Sequence, residues 1–163
     1  MTSKELNKWK EIYERQFHTV YQVAFLYLKR KEDVEDAVQA IFLKQMEKGK
    51  QFRDEQQERA WYITVTKNYC KDVLKSYWKK NVDVGDVPES ISEESKEDSL
   101  LERIMELPIK YREVLFFFYY EERSIREISK FLKKKESTIG SRLAKARALL
   151  KEKLEQEGAE NER

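Results

Sequence analysis

A chain of 163 residues with 39% charged and 40% hydrophobic positions suits a soluble protein of one or two small domains. Only four Gly and two Pro, set among dense Glu, Lys, Leu and Gln, favour helix over sheet. The net charge of +2 conceals an asymmetry: residues 81–99 hold seven acids and one lysine, whereas residues 123–153 hold eleven Lys or Arg against three acids. Basic blocks separated by an acidic block point to two nucleic-acid surfaces joined by a solvated connector.

The N-terminus lacks the charged-then-apolar pattern of an export signal. Leu6, Trp9, Tyr13, Phe17, Val20, Ala24 and Leu28 step by three or four and predict the buried face of a first amphipathic helix. His18, the only histidine, reads as a surface or core-edge residue rather than a ligand or base. Lys29-Arg30-Lys31 reads as a turn. A second helix is expected over Asp33–Lys48, with acids in its first turn and lysines in its last, as the helix dipole favours. Its apolar face is Val34, Ala37, Val38, Ile41, Phe42, Gln45 and Met46, and Gly49 is placed to cap it.

Residues 50–58 are polar and read as a loop, and Arg59–Lys80 as a third helix. Tyr62, Ile63, Thr66, Cys70, Val73, Leu74 and Tyr77 share one face of it; Trp61, Thr64, Asn68, Lys71, Asp72, Lys75 and Lys79 lie on the opposite arc. A solvated charged face accounts for the lysines. Trp61 among cations and amides matches a stacking platform for single-stranded bases, or else packs beneath the preceding loop. Cys70 is the only cysteine, which excludes an internal disulfide, leaves no metal-ligand spacing and fits a reduced cytoplasmic protein.

Low hydrophobicity, dense acids, Gly85 and Pro88 mark residues 81–98 as a flexible linker. Ser99 and Glu102 have capping-box spacing and open a short helix through Leu107. After Pro108, Tyr111–Tyr120 forms an apolar helix; the run from Val114 to Tyr120 is far too short to span a bilayer. Ser124 and Glu127 form a second capping box, opening a helix with Ile128, Phe131 and Leu132 on one side. A polar turn, Lys133-Lys134-Lys135, leads to another helix in which Ile139, Leu143, Ala146 and Leu150 share a buried face. Its other faces present Ser137, Thr138, Ser141, Arg142, Lys145 and Arg147. A short helix with a small, polar and basic outer surface, held by a preceding helix, suits the DNA major groove. The tail from Glu155 is acidic and expected to fray. The fold class is therefore all-α: a helical domain over 1–80, an acidic linker over 81–98, a helix-turn-helix domain over 99–154 and a tail over 155–163. No glycine-rich phosphate loop or nucleophile–base signature occurs, which points away from an enzyme, and no cofactor is expected.

Four segments in this order resemble the extracytoplasmic-function class of bacterial sigma factors. Glu32–Lys44 is similar to the family's core-polymerase-binding helix, Ala60–Leu74 to its promoter-melting helix, Leu107–Leu115 to the entry of its C-terminal domain, and Ser124–Leu150 to its −35-reading helix-turn-helix. The resemblance implies partners: RNA polymerase core enzyme, promoter DNA and an inhibitory anti-sigma factor, often membrane-bound. It places polymerase contact on Asp33, Glu35, Asp36 and Gln39, whose acids a favourable first-turn dipole explains equally well. It places −10 recognition on the loop Gln51–Glu58 and the exposed arc of the third helix, Trp61, Asn68, Lys71 and Asp72, with Lys75 and Lys79 on the strand's phosphates. A base that is read must leave the stack, which costs a few kcal/mol, and stacking at about 1–3 kcal/mol per base offsets it.

In the last helix the resemblance puts base-facing positions at Gly140, Ser141, Ala144 and Lys145, beside Ser137 and Thr138, with Arg142 and Arg147 on phosphates. The chain departs from the family pattern at three points. Its turn is all lysine where glycine is usual, which requires a left-handed lysine or an altered turn. Gly140 replaces a usually basic reader, and Ala40 replaces an acid after the core-binding glutamine. Two other readings compete: a free-standing helix-turn-helix regulator, which would bind its operator without polymerase, and a helical decoy that binds a partner without opening a promoter.

Overall fold

The computed structural model describes residues 1–80 and 99–161, which fall into two compact helical units with no strand among the described residues. The acidic linker expected over 81–98 lies outside them.

In the N-terminal unit α1 (Ser3–Leu28), α2 (Lys31–Lys48) and α3 (Glu55–Lys80) pack against one another. α1 opens on a capping box, Thr2 with Glu5, that the sequence reading passed over. Val20, Ala24 and Leu28 of the predicted face are buried, whereas in the first half of the helix the buried residues are Ile12 and Gln16. The predicted face therefore holds toward the C-terminal end and is rotated toward the N-terminal end. Leu6 is 60% exposed and Tyr13 45%, with Phe17 at the rim, ringed against Tyr13 and Tyr21. Hydrophobic periodicity misses this because it counts Gln16 as polar. Gln16 is buried in the same row as Ile12 and Val23, with Glu58 of α3 as its partner.

α1 ends at Lys29, with φ 64°, and α2 begins two residues before the expected start. Val34, Ala37, Val38, Ile41 and Gln45 form its core face, while Met46 is exposed and Phe42 half-buried. Gly49 caps it at φ 58° in the left-handed region, as its position predicts. α3 starts four residues earlier than expected. Asp54 Oδ1 accepts from the Gln57 amide at 2.8 Å and Gln57 Oε1 accepts from the Arg53 amide at 2.6 Å, so a polar run that reads as loop is a reciprocal cap.

The C-terminal unit holds α4 (Ser99–Met105), α5 (Ile109–Leu115), α6 (Ile125–Leu132) and α7 (Glu136–Asn161). Ser99, the expected cap, stands instead as the first residue of α4. Buried Arg112 donates from Nη1 to the Met105 carbonyl at 2.9 Å, tying α5 back over Pro108 to the end of α4. The apolar helix expected through Tyr120 changes pitch at Phe116: residues 116–120 form a π-helical turn closed by Glu121 N–H donating to Phe116 O at 3.1 Å. One extra residue per turn lets Phe116 and Phe117 both point inward while Tyr119 and Tyr120 reach the surface.

The Ser124–Glu127 capping box forms as expected, with bonds of 3.1 and 3.2 Å. Lys133 takes φ 54°, ψ 47°, the left-handed lysine that a glycine-free turn requires. The turn recovers part of that cost: Lys134 N–H donates to the Ser129 carbonyl, and Ser129 Oγ donates to Lys134 O. Ile128, Leu132, Ile139, Leu143 and Ala146 are buried as predicted, around Ile104, Leu107, Val114, Leu115 and Phe117. The tail departs from expectation. α7 continues through Asn161, because Glu157 accepts from Arg103 Nε at 2.9 Å and Lys153 pairs with Glu106 at 3.3 Å, binding the last turns to α4.

Candidate nucleic-acid interface

Three surfaces carry the residues singled out in the sequence. On α2, Glu35, Asp36 and Gln39 are exposed and Asp33 half-buried, on the side away from the Val34–Ala37–Ile41 row. Burial, then Cys70, Asp36 and Asp33, push the Tyr69 phenol up, so these two carboxylates lie within electrostatic reach of α3. The same outer row continues one turn further to Leu43, 59% exposed, and Met46, 40% exposed. The sequence reading overlooked Leu43. Its signal was an apolar residue falling off the i, i+3, i+4 core row, which is how a helix offers a partner rather than a core.

On α3, Asn68, Asp72, Lys75 and Lys79 are exposed along the arc opposite Tyr62, Ile63, Thr66 and Cys70. Lys71 is half-buried, its Nζ 5.7 Å from the Tyr27 ring centroid. Trp61 is half-buried, 5.6 Å from Phe52 of the preceding loop and edge-on to Tyr62 at 5.0 Å. Of its two readings the structure places it under the loop, so a flat stacking surface is not preformed by Trp61 in this arrangement. Val73, Leu74 and Tyr77 are only half-buried, and Lys67, which had no assigned place, is buried. Burial pushes the thiol of Cys70 up to about 12, leaving it protonated and inert at neutral pH.

The loop before α3 is shorter and better held than a polar run suggests. Gln45 Nε2 donates to Lys50 O at 2.8 Å, and Phe52 turns in toward Trp61 and Tyr62. Glu58, expected to help shape a base pocket, is instead 7% exposed in the first turn of α3. Arg15 grips both its oxygens, Nε at 2.7 Å and Nη2 at 3.0 Å, and Gln16 Nε2 donates at 2.7 Å. Burial opposes the charged form, but the bonds from Arg15 and Gln16 outweigh it and hold the carboxyl below its usual range.

On α7, Ser137, Ser141, Ala144 and Lys145 are exposed on one face, flanked by half-buried Thr138, Gly140 and Arg142. Arg147 lies on the other flank. Its Nε donates to Tyr119 Oη at 2.7 Å and its guanidinium sits 5.3 Å from the Phe118 ring, so the π turn holds this cation from the side. Nothing lies within 4 Å of a Cβ built on Gly140. Gly140→Ala is therefore expected to stabilise the unit by about 1 kcal/mol through helix propensity alone. Its thermal midpoint should rise by roughly 4–8 °C, read by calorimetry.

Two family models match the chain in order: "Sigma-70 region 2" over residues 12–80 and "Sigma-70, region 4" over residues 97–150. The chain belongs to the sigma-70 family of transcription initiation factors. Within it, the chain falls in the extracytoplasmic-function class. It is similar to RNA polymerase sigma factor SigV of Bacillus subtilis, 25% identical over 141 residues, covering 84% of this chain and 85% of the relative. It is also similar to ECF RNA polymerase sigma factor SigM of the same organism, 26% identical over 151 residues, covering 86% and 91%. In fold it matches the sigma factor RpoE solved with the anti-sigma factor NepR from Bartonella quintana, at a TM-score of 0.72 and 18% identity over 91% of this chain and 97% of that one. It also matches CnrH solved with the cytosolic domain of CnrY, at 0.65 and 19% identity over 93% and 90%.

Proposed function

We propose that the two units divide promoter recognition, α7 reading the −35 element and α3 with its loop the −10 element, while the outer row of α2 docks on polymerase. The protein is an alternative sigma factor that directs RNA polymerase to promoters. The observation that carries the division is the exposed Ser137–Ser141–Lys145 face at the start of a helix braced by α6 through the left-handed Lys133 turn. Small side chains at Ser137, Gly140, Ser141 and Ala144 let the α7 backbone approach base edges closely, with Lys145 as the long polar reader. Arg142 and Arg147 flank that face and suit the phosphates on either side.

The chemistry of RNA synthesis belongs to the polymerase, and the assigned residues of this chain bind and position DNA, in the cytoplasm where the polymerase works. An anti-sigma factor holds it inactive, a reading supported by the neighbour RpoE, which was solved with the anti-sigma factor NepR. An apolar groove of about 640 Å³ within the C-terminal unit, lined by Leu100, Ile104, Leu115, Tyr119, Leu150 and Leu154, supports a protein partner there.

The test is run-off transcription with purified bacterial core polymerase over genomic fragments, sequencing the 5′ ends. New aligned starts absent with core alone establish the role and reveal both elements. No new starts with duplex binding intact would make the protein a free-standing regulator. Salt dependence tests the orientation of α7. Replacing Arg142 or Arg147 by alanine should each shallow the log-affinity slope by about one unit. An unchanged slope for both would reject the orientation.

A further inference from the structure

The cap and ring contacts that hold residues 49–54 come from α2 and the start of α3: the Gly49 cap, Gln45 on Lys50, Phe52 on Trp61, and Asp54 with Gln57. Glu58 is bound differently. Its partners Arg15 and Gln16 come from the middle of α1, 43 and 42 residues away, and together they place three donors on one carboxylate. The helix dipole does not require this. An acid in the first turn serves the dipole equally well from the surface, as Glu55 does, without the desolvation that Glu58 meets.

A bidentate guanidinium fixes orientation as well as distance, because the planar fork fits the carboxylate in one plane. Glu58 therefore sets the rotation of the first turn of α3 about its own axis. Trp61 and Tyr62 follow at i+3 and i+4, and Phe52 rests on both rings, so the loop moves with that turn.

We propose that Arg15, Gln16 and Glu58 form a latch that holds the loop 49–54 and the start of α3 in the conformation that accepts a −10 base, making Glu58 a positioning residue for sequence discrimination. The proposal rests on the assignment of this loop and α3 to the −10 element. A latched loop is ordered before DNA arrives, so the correct base meets a formed site and a wrong base cannot be accommodated by rearrangement. Arg15 keeps about a third of its side chain exposed, 35%, so this end of the latch can be altered without opening the core.

The experiment compares wild type, Glu58→Gln and Arg15→Lys as full chains with core polymerase. One promoter set varies only in its −10 element and a second only in its −35 element. Arg15→Lys retains the charge and loses the bidentate fork, so it separates positioning from folding if Glu58→Gln destabilises the unit. Both variants are expected to flatten the −10 preference about tenfold, the equivalent of one charge-assisted hydrogen bond. The −35 preference and polymerase affinity should stay unchanged, and 2-aminopurine placed in the −10 strand should show slower base extrusion. An unaltered −10 preference in Arg15→Lys would overturn the latch while the assignment stood. So would a loss equal across all promoters that follows the fall in melting temperature. A wild type with no −10 preference would sink the assignment itself and the latch with it.

Discussion

Phe117→Ala is expected to unfold the C-terminal unit and abolish −35 binding. Phe117 is fully buried, its ring 5.5 Å from Phe116 and 6.1 Å from Phe131 of α6, so it joins the π turn to the helix that braces α7. Truncating a buried phenylalanine costs about 3–5 kcal/mol through lost transfer energy and a cavity. A unit of this size is stable by only a few kcal/mol, at roughly 0.05–0.15 kcal/mol per residue. Far-UV circular dichroism should show the transition of this unit lost or moved far down in temperature, with the N-terminal transition in place. A variant that melts like wild type would mean the core is centred elsewhere.

The second large effect is functional. Substituting Asn68, Lys71 and Asp72 together by alanine should reduce open-complex formation on the order of 10–100-fold, the loss of charge-assisted hydrogen bonds to a flipped base and its strand at about 1.5–3 kcal/mol. Stability should change little, since Asn68 and Asp72 are exposed; Lys71 gives up its position over the Tyr27 ring, worth about 0.5–1 kcal/mol. Polymerase binding through α2 should persist, measured by co-migration with core enzyme. Permanganate footprinting reads the opening, and an unchanged footprint would remove α3 from the −10 site.

Between these two effects lies a contrast in stability terms. Tyr62 is fully buried and its hydroxyl has no hydrogen-bond partner among the described side chains and backbone. Burial, with the Glu58 carboxylate beside it, pushes that phenol well above its usual range, so it stays neutral throughout the working pH. Tyr62→Phe removes an orphan donor without leaving a cavity and should be neutral or stabilising by about 1 kcal/mol, read from chemical denaturation. A loss of more than that would reveal a partner for the hydroxyl.

The elements written in local chemistry are legible in the sequence. The capping box at Ser124, the glycine cap at Gly49 and the buried row Ile139–Leu143–Ala146 depend on residues within one or two turns of each other, whereas the all-lysine turn left a left-handed lysine and an altered turn both open, and Leu150 of the same row is only half-buried. The exposed faces of α3 and α7 were legible for the same reason, since a helical wheel needs only the sequence and a period. Local chemistry also holds features that escaped notice: the Thr2–Glu5 box opens α1, and Asp54 and Gln57 cap α3, their polarity hiding the helix start inside an apparent loop.

What only the tertiary structure decided concerns residues whose partners are far along the chain. The rotation of α1, the burial of Gln16 and Glu58, the placement of Trp61 under Phe52, the tethering of Arg147 by Tyr119 and the helical tail held by Arg103 each depend on a side chain from another element. A polar or charged residue looks the same in sequence whether water or a distant guanidinium will satisfy it. The sequence by itself determined the class of protein, the order of its helices and most of the residues turned outward on α3 and α7, because periodicity and capping act within a few residues. The tertiary fold decided which polar groups are buried and which cations are free to meet DNA, because that depends on pairing across helices.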